Sequence, residues 1–537
     1  MATGKGSLPV AAPRHYSTLA RPAAALVAVL VFVHISGTLR VIDLPITVPF
    51  GLASILPVEF WIGYASVLVC TAVSIFNPSR RWALFSLLLL SLYQLSLAVF
   101  IEQLPQYHKL FSAALGELIA STGYADPSMD FYLHFPGSFY VLATMRIVTG
   151  VDPMLLVKFE TVVLNALVVV LAYLFFSKTL TDEGTRLAAS ALVCSGMYLL
   201  SLLLTSSILG YILYFLIMYS ALSQNRNAAS YAIIILISFA TLIISHAYTS
   251  FLVLAVLGLF VVAYTLARSL KRPLVMPLFR IKTPLFAALL LILAAYWVYA
   301  LQGGMMQTAL LQAISMQPLN TLVPLASNTI YKSRYTLSTL PYVIVYGIPF
   351  FVFLLLAPAR ERRESLLWIL SILSLVVVSV SGYVEEFLPR TFSYALIPVS
   401  LGIARIYELR KRMFTAGLLL AALILSAALH IPAQYGQDSY RMISSSTYNG
   451  TRFSLISIPT GSSIDAYANY YWLAYFIQPE QSPVRTDLHY YILSAQSKNE
   501  LLYDEGDQAL ADLAVSLQSS EWNRIYSAGT YSIWMAR

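Results

Sequence analysis

The sequence predicts an all-α polytopic membrane protein of about thirteen transmembrane helices, followed by a small α/β domain at the C-terminus. Three observations predict it. Apolar residues make up 58% of the chain and charged residues only 11%, with a mean hydropathy of +0.73. An ordinary soluble domain carries about 25% charge, so a water-soluble chain of this composition could not hide its apolar surface. The apolar residues gather into runs of nearly spanning length. The basic residues, which give a net charge of +8, fall in short clusters between those runs rather than on one patch. That distribution is the one that orients helices in a bilayer, and it argues against nucleic acid as a partner.

The runs lie near 22–42, 57–77, 82–101, 153–177, 187–204, 206–222, 229–247, 249–267, 283–301, 340–357, 365–382, 391–406 and 413–430. A helix needs about 20 residues to cross the hydrocarbon core, so the longer runs span directly and the shorter ones span with adjustment of the bilayer. The first run follows a basic start (Lys5, Arg14, Arg21) like that of a signal peptide. It is too long for a typical signal core and shows no small-residue cleavage site, so it reads as a retained helix. With the N-terminus cytoplasmic, the even-numbered connections face inward. These carry Asn77 to Arg81, Lys178 to Arg186, Asn225-Arg226, Arg268 to Lys282, Arg360 to Arg363 and Arg405 to Arg412. Every strong basic cluster then falls on one side, and thirteen spans leave the C-terminus extracytoplasmic. The localisation expected is the cell membrane. Cys70 and Cys194 each sit inside an apolar run, which excludes a disulfide framework.

The expected organisation is a transmembrane domain over 1–430, with external loops at 102–152 and 302–339, and an extracytoplasmic domain over 431–537. The first loop contains an amphipathic stretch, Phe139 to Val148, too short to span and suited to lying in the interface. The tail is polar and rich in tyrosine. Alternation over Phe453 to Ile458 and Tyr531 to Trp534 predicts strands, and Asp507 to Gln518 predicts a helix. Asn449-Gly-Thr451 forms a glycosylation sequon there.

The richest chemistry lies in the first loop, in Tyr124-Ala-Asp126-Pro-Ser-Met-Asp130-Phe-Tyr-Leu-His134-Phe-Pro136-Gly137. A carboxylate beside a membrane surface can act as general base on an acceptor hydroxyl. The pair Asp126 and Asp130 can also hold a divalent cation through hard oxygen ligands. The plain alternative is a solvated turn, since Asp-Pro-Ser caps and turns well by itself. A second candidate lies in Tyr383-Val-Glu385-Glu386-Phe-Leu-Pro389-Arg390, at the external mouth of a span. Ionisable groups there are costly unless they face a cavity or a partner. The guanidinium of Arg390 suits a phosphate, and a local pair with Glu385 or Glu386 is the alternative. His246, at the outer end of the seventh span, is a further site candidate or an interface residue. Lys332 and Arg334 in the second loop can meet an anionic headgroup or anchor the interface. Glu160 and Asn165 read as intramembrane packing groups. The chain has no P-loop, no GxSxG, no HExxH and no CxxC, which disfavours ATP-driven transport by this chain alone.

The arrangement resembles the GT-C superfamily of membrane glycosyltransferases, which includes protein mannosyltransferases, aminoarabinose transferases and oligosaccharyltransferase catalytic subunits. Asp126 and Asp130 match that family's loop acids, and His134-Phe-Pro136 is similar to the short element that follows them. Val148-Thr-Gly150-Val-Asp-Pro153 resembles the turn into the next span. Arg390-Thr-Phe-Ser-Tyr394 resembles the arginine-bearing start of a late span, and Arg524-Ile-Tyr-Ser-Ala-Gly529 the terminal strand pair of many archaeal members. The chain departs from the pattern in one respect: its acidic loop follows the third span, not the first. Tyr470-Tyr-Trp-Leu-Ala also differs from the oligosaccharyltransferase signature, which disfavours en bloc transfer to asparagine.

The resemblance implies an inverting transferase that moves one hexose or pentose from a polyprenyl-phosphate donor at the outer face of the membrane. The acceptor would be a glycan, a lipid or a protein. Asp126 or Asp130 would be the base, with Asp126 favoured and Asp130 orienting His134 or holding a metal. Arg390 would bind the donor phosphate, helped by Lys332 or Arg334. The competing reading is a multi-pass transporter or lipid-linked sugar flippase without transferase activity. Transporters more often show related halves around a midplane site, and no such symmetry is apparent in the chain.

Overall fold

The computed structural model describes residues 14–39, 51–100, 107–127, 131–197, 205–223, 228–269, 281–301, 342–379, 384–410 and 413–435, and four strands of the tail. Within these residues each of the thirteen apolar runs falls on a helix. The elements are α1 (Arg14–Thr38), α2 (Val58–Phe76), α3 (Arg80–Phe100), α4 (Tyr107–Thr122), α5 (Gly137–Thr149), α6 (Pro153–Thr179), α7 (Glu183–Gly196) and α8 (Thr205–Ser223). They continue with α9 (Ala228–Ser245), α10 (Ala247–Ser269), α11 (Thr283–Ala300), α12 (Ile348–Leu356), α13 (Ala359–Ser379), α14 (Val384–Arg410) and α15 (Met413–Tyr435). Eight of the described helices are long and apolar enough to cross a bilayer. Large apolar side chains such as Leu30, Val163, Ile237 and Leu291 stand exposed on their flanks, a surface suited to lipid rather than water. The chain is a multi-pass membrane protein.

Three elements differ from their expected form. The run at 187–204 is helical as far as Gly196, and Met197 then turns the chain. The run at 340–357 is a π-turn over Tyr342–Gly347 followed by the nine residues of α12. The run at 391–406 is the middle of a 27-residue helix, so Glu385, Glu386 and Arg390 lie within the first two turns of α14 instead of before it. The amphipathic stretch of the first loop is α5, and α4 is a helix that periodicity did not single out.

The helix at the centre is α7. Every residue from Gly184 to Gly196 except Arg186 is buried. Its alanines, serines and glycines let α2, α3, α6, α14 and α15 approach closely, and in a bilayer close packing of this kind is what holds helices together. Polar side chains add specific ties. Gln94 of α3 donates to Tyr64 of α2 at 2.9 Å and to Ser195 of α7 at 3.2 Å, while the Cys194 thiol lies 3.3 Å from its amide oxygen. Tyr64 in turn donates to the Ala427 carbonyl of α15 at 2.8 Å. Both cysteines are free and buried.

One end of the bundle gathers four of the basic connections. Arg21 donates to the Asn77 carbonyl at 2.7 Å, Phe76 meets Tyr407 ring to ring at 6.2 Å, and Gly184 packs against the Ile75 carbonyl. Arg405 forks onto Glu361 at 3.2 Å and pairs with Glu408, whose carboxylate also accepts from the backbone of Thr181 and Asp182. Direct contacts thus bring together the connections at 77–81, 178–186, 360–363 and 405–412; Asn225, Arg226 and 270–280 lie outside the described residues.

The tail contributes β1 (Ser463–Ala466), β2 (His489–Leu493), β3 (Trp522–Ala528) and β4 (Tyr531–Ala536) in one sheet of order β1-β2-β4-β3. β3 and β4 form the expected terminal antiparallel pair, and β1 runs parallel to β2. The stretches 453–458 and 507–518 lie outside the described residues.

Candidate functional site

At the end of the bundle away from the basic connections, three stretches remote in sequence converge. The first is the loop between α4 and α5. Gly123 ends α4 with φ +81°, and its N–H donates to Ile119 at 2.8 Å. Only glycine takes that conformation without strain. The chain then turns so that the Ala125 N–H donates to the Tyr140 hydroxyl of α5 at 3.2 Å, which ties the residue next to Asp126 to a helix. Asp126 is half-buried. Asp130 lies outside the described residues. A short 3-10 turn over Phe131–His134 follows. His134 is buried, and its carbonyl accepts the hydroxyl of Tyr296 from the end of α11. Phe135 packs against Tyr296 and Trp297, at 6.0 and 6.3 Å between ring centres.

α5 itself is clamped to α4 by Arg146, which meets Glu117 at 2.9 Å and donates to the Gly150 carbonyl at 2.7 Å. Its other face exposes Met145, Ile147 and Val148, the last to 77%. A short helix bearing such a face beside a bundle is suited to the headgroup boundary.

The second stretch is the break between α9 and α10. His246 has left α9 and caps α10: its Nδ1 accepts the Thr249 N–H at 3.3 Å and lies 2.7 Å from the Thr249 hydroxyl. Its Nε2 faces the Ser207 hydroxyl of α8 at 3.3 Å. Gly137, the first residue of α5, sits against Ser245, the last of α9. The His134 and His246 segments therefore meet.

The third stretch is the first part of α14. Thr391, next to Arg390, hydrogen-bonds Tyr248 of α10. The Ser393 carbonyl accepts Tyr211 of α8 at 2.8 Å, and the Tyr394 hydroxyl lies 2.5 Å from that of Thr249. Tyr394 is wedged between Tyr211 and Tyr214, at 4.9 and 5.0 Å between ring centres. The backbones of Glu385, Glu386 and Arg390 are helical, and their side chains lie outside the described residues, as do Lys332 and Arg334. Glu160 and Asn165 are buried in α6, where the Asn165 amide donates to the Thr161 carbonyl at 2.6 Å. Among the described residues no three His, Cys, Asp or Glu side chains form a cluster able to hold a metal. Asp126 is the one described member of the expected carboxylate pair.

The polar groups that knit this end together were not picked out from sequence. They are Ser207, Tyr211, Tyr248, Thr249, Tyr296, Thr391 and Tyr394, all inside or beside apolar runs. One signal was available. Ser207, Tyr211 and Tyr214 recur at intervals of four and three, a polar stripe on one face of α8.

Arg390 and Glu408 mark the two ends of α14. They are 18 residues apart in one helix, so their backbones stand about 27 Å apart along the axis. That is close to the hydrocarbon thickness of a bilayer, about 30 Å. The Glu408 carboxyl is held below the usual carboxylate range: burial works against its charge, but hydrogen bonds from Thr181, Arg405 and Asp182 outweigh it.

No family model matches the chain, and no curated protein matches it. Among solved structures it is similar to ArnT from Cupriavidus metallidurans in the apo state, over 80% of this chain and 93% of that one, with 8% sequence identity and a TM-score of 0.46. It is also similar to the crystal structure of ArnT from Cupriavidus metallidurans bound to undecaprenyl phosphate, over 85% of this chain and 98% of that one, with 8% identity and a TM-score of 0.48.

Proposed function

We propose that this protein is a GT-C-type membrane glycosyltransferase that moves a sugar from a polyprenyl-phosphate donor to an acceptor at the outer face of the membrane. The observation that supports this reading is the convergence of the Asp126 loop, the His134 and His246 segments and the Arg390 turn of α14 at one bundle end, about 27 Å from the basic end along α14. On the positive-inside rule the proposal has the basic end cytoplasmic, with the other end and the tail domain facing the exterior.

In the proposed reaction the acceptor hydroxyl oxygen attacks the anomeric carbon from the face opposite the phosphate. Asp126 takes the hydroxyl proton as the bond to the sugar forms. The bond between the anomeric carbon and the phosphate oxygen breaks, and its electron pair leaves with the polyprenyl phosphate. Arg390, aided by Lys332 or Arg334, offsets the charge that gathers on that phosphate, the largest electrostatic need of the step. Inversion at the anomeric centre follows from the single displacement. Asp126 and Asp130 are chemically suited to a divalent cation, and no step depends on one.

The test is a pair of substitutions in the full chain. Asp126→Asn keeps size and hydrogen bonding but removes basicity, so turnover should fall by ~10²–10⁴ while donor affinity holds. Arg390→Lys keeps charge but not the planar fork, so donor affinity should fall. Folded Asp126→Asn and Asp130→Asn proteins with full transferase activity would refute the assignment of the loop. Sugar counterflow without an acceptor, in vesicles containing this chain alone, would favour a flippase.

A further inference from the structure

Residues 390–397, in the first half of α14, lie between two prolines, Pro389 and Pro398. A proline inside a helix gives no N–H to the carbonyl four residues back, and its ring pushes against that carbonyl. Pro398 thus breaks the ladder at Tyr394, and the segment above it is less firmly held by its own helix than the segment below. Side chains from neighbouring helices grip that segment. Tyr211 of α8 donates to the Ser393 carbonyl at 2.8 Å, one residue before the break. Tyr248 of α10 bonds the Thr391 hydroxyl. The Tyr394 hydroxyl meets Thr249, which leads to His246 and on to Ser207 of α8. All of these residues are buried, where a hydrogen bond holds geometry most firmly.

We infer that Tyr248 and Thr391, with Tyr211 and the His246–Thr249–Tyr394 chain, form a clamp that sets the rotation and depth of the α14 segment between its prolines and so positions Arg390 for the donor phosphate. This inference rests on the reading of Arg390 as the phosphate ligand. Tyr248, Thr391 and Tyr211 are positioning residues: they act through the backbone of α14. His246 belongs to the same device as the cap of α10.

The test measures binding of polyprenyl monophosphate to the full-length protein in lipid nanodiscs, with the matching polyprenol as a phosphate-free control. Arg390→Ala should abolish the difference between the two lipids. Tyr248→Phe and Thr391→Val each remove one buried hydroxyl contact without changing shape, and each should weaken phosphate-dependent binding by ~5-fold. Thr391→Ser keeps the hydroxyl and should restore it. In turnover, the first two should raise the KM for the donor and leave that for the acceptor unchanged. Wild-type binding by both Tyr248→Phe and Thr391→Val, with Arg390→Ala inactive, overturns the clamp and leaves the phosphate reading standing. Wild-type binding by Arg390→Ala overturns the phosphate reading, and the clamp's purpose with it. Equal losses in Thr391→Val and Thr391→Ser, with falling thermal stability, show a merely structural role and overturn the inference.

Discussion

Gly137 is the tightest junction near the candidate site, and Gly137→Ala measures how much the seating of α5 matters. A β-carbon at this position would lie 2.3 Å from the Ser245 hydroxyl oxygen, 3.1 Å from the Ile244 carbonyl and 3.2 Å from the Ile244 side chain. Ordinary contact begins at 3.4 Å, so the first approach is 1.1 Å too short. Ser245 is buried, and the Ile244 carbonyl belongs to the last turn of α9. The start of α5 must therefore shift by about 1 Å or the serine must leave its place. Overpacking of this kind typically costs about 1–3 kcal/mol. The shift falls between His134 and His246, and a displacement of about 1 Å at a reacting centre can lower a rate by ~10². The assay is thermal unfolding in detergent together with consumption of the polyprenyl-phosphate sugar that the wild type uses. Ser245→Ala should suppress the defect, because it removes the closest atom, and that hydroxyl has no hydrogen-bond partner among the described residues. The two changes should then be coupled by ~0.5–3 kcal/mol in a double-mutant cycle. Wild-type stability and turnover in Gly137→Ala, or additive effects in the double variant, would refute this account of the α5–α9 contact.

Gly184→Ala, at the basic end, directs a β-carbon to 2.1 Å from the Ile75 carbonyl; it should lower the unfolding temperature without a selective change in donor KM. Glu408→Gln removes the charge and one of the two oxygens that accept from Thr181, Asp182 and Arg405 and should cost ~2 kcal/mol. Because the folded carboxyl is held below its ordinary value of 4.5, its contribution is full above that pH. It is lost as pH falls through the lower folded value. The wild type should therefore lose its stability advantage over Glu408→Gln in that acid range, and a constant gap between the two would contradict the sign. For topology, Ser519→Cys in the tail should react with an impermeant maleimide on intact cells, against a low background from buried Cys70 and Cys194. Labelling that requires permeabilisation would reverse the orientation.

The helical membrane body and its charged end were legible in the sequence because both are properties of local composition. A spanning helix must satisfy its own backbone and face lipid with apolar side chains, so runs such as 153–177 and 413–430 announce themselves. The clustering of Lys178 to Arg186, Arg360 to Arg363 and Arg405 to Arg412 follows from counting runs, and the contacts among Thr181, Glu361, Arg405 and Glu408 bear it out. Asp126, His134, His246 and Arg390 stood out as ionisable groups beside apolar stretches, and sequence could go no further with them. Which partners they share depends on pairings across more than a hundred positions, such as Tyr248 with Thr391, Tyr211 with Ser393 and Tyr296 with His134. No periodicity encodes these, because a hydroxyl in an apolar helix reads the same whether it bonds its own preceding turn or a neighbouring helix. The length of α14 was hidden for the opposite reason: Glu385, Glu386 and Pro389 look like a loop by local rule, and their backbone is helical. Composition therefore determined that this chain lives in a membrane and which end is basic. Only the tertiary fold decided that three distant stretches meet at the other end, because that meeting is made by the packing of helices rather than by any one of them.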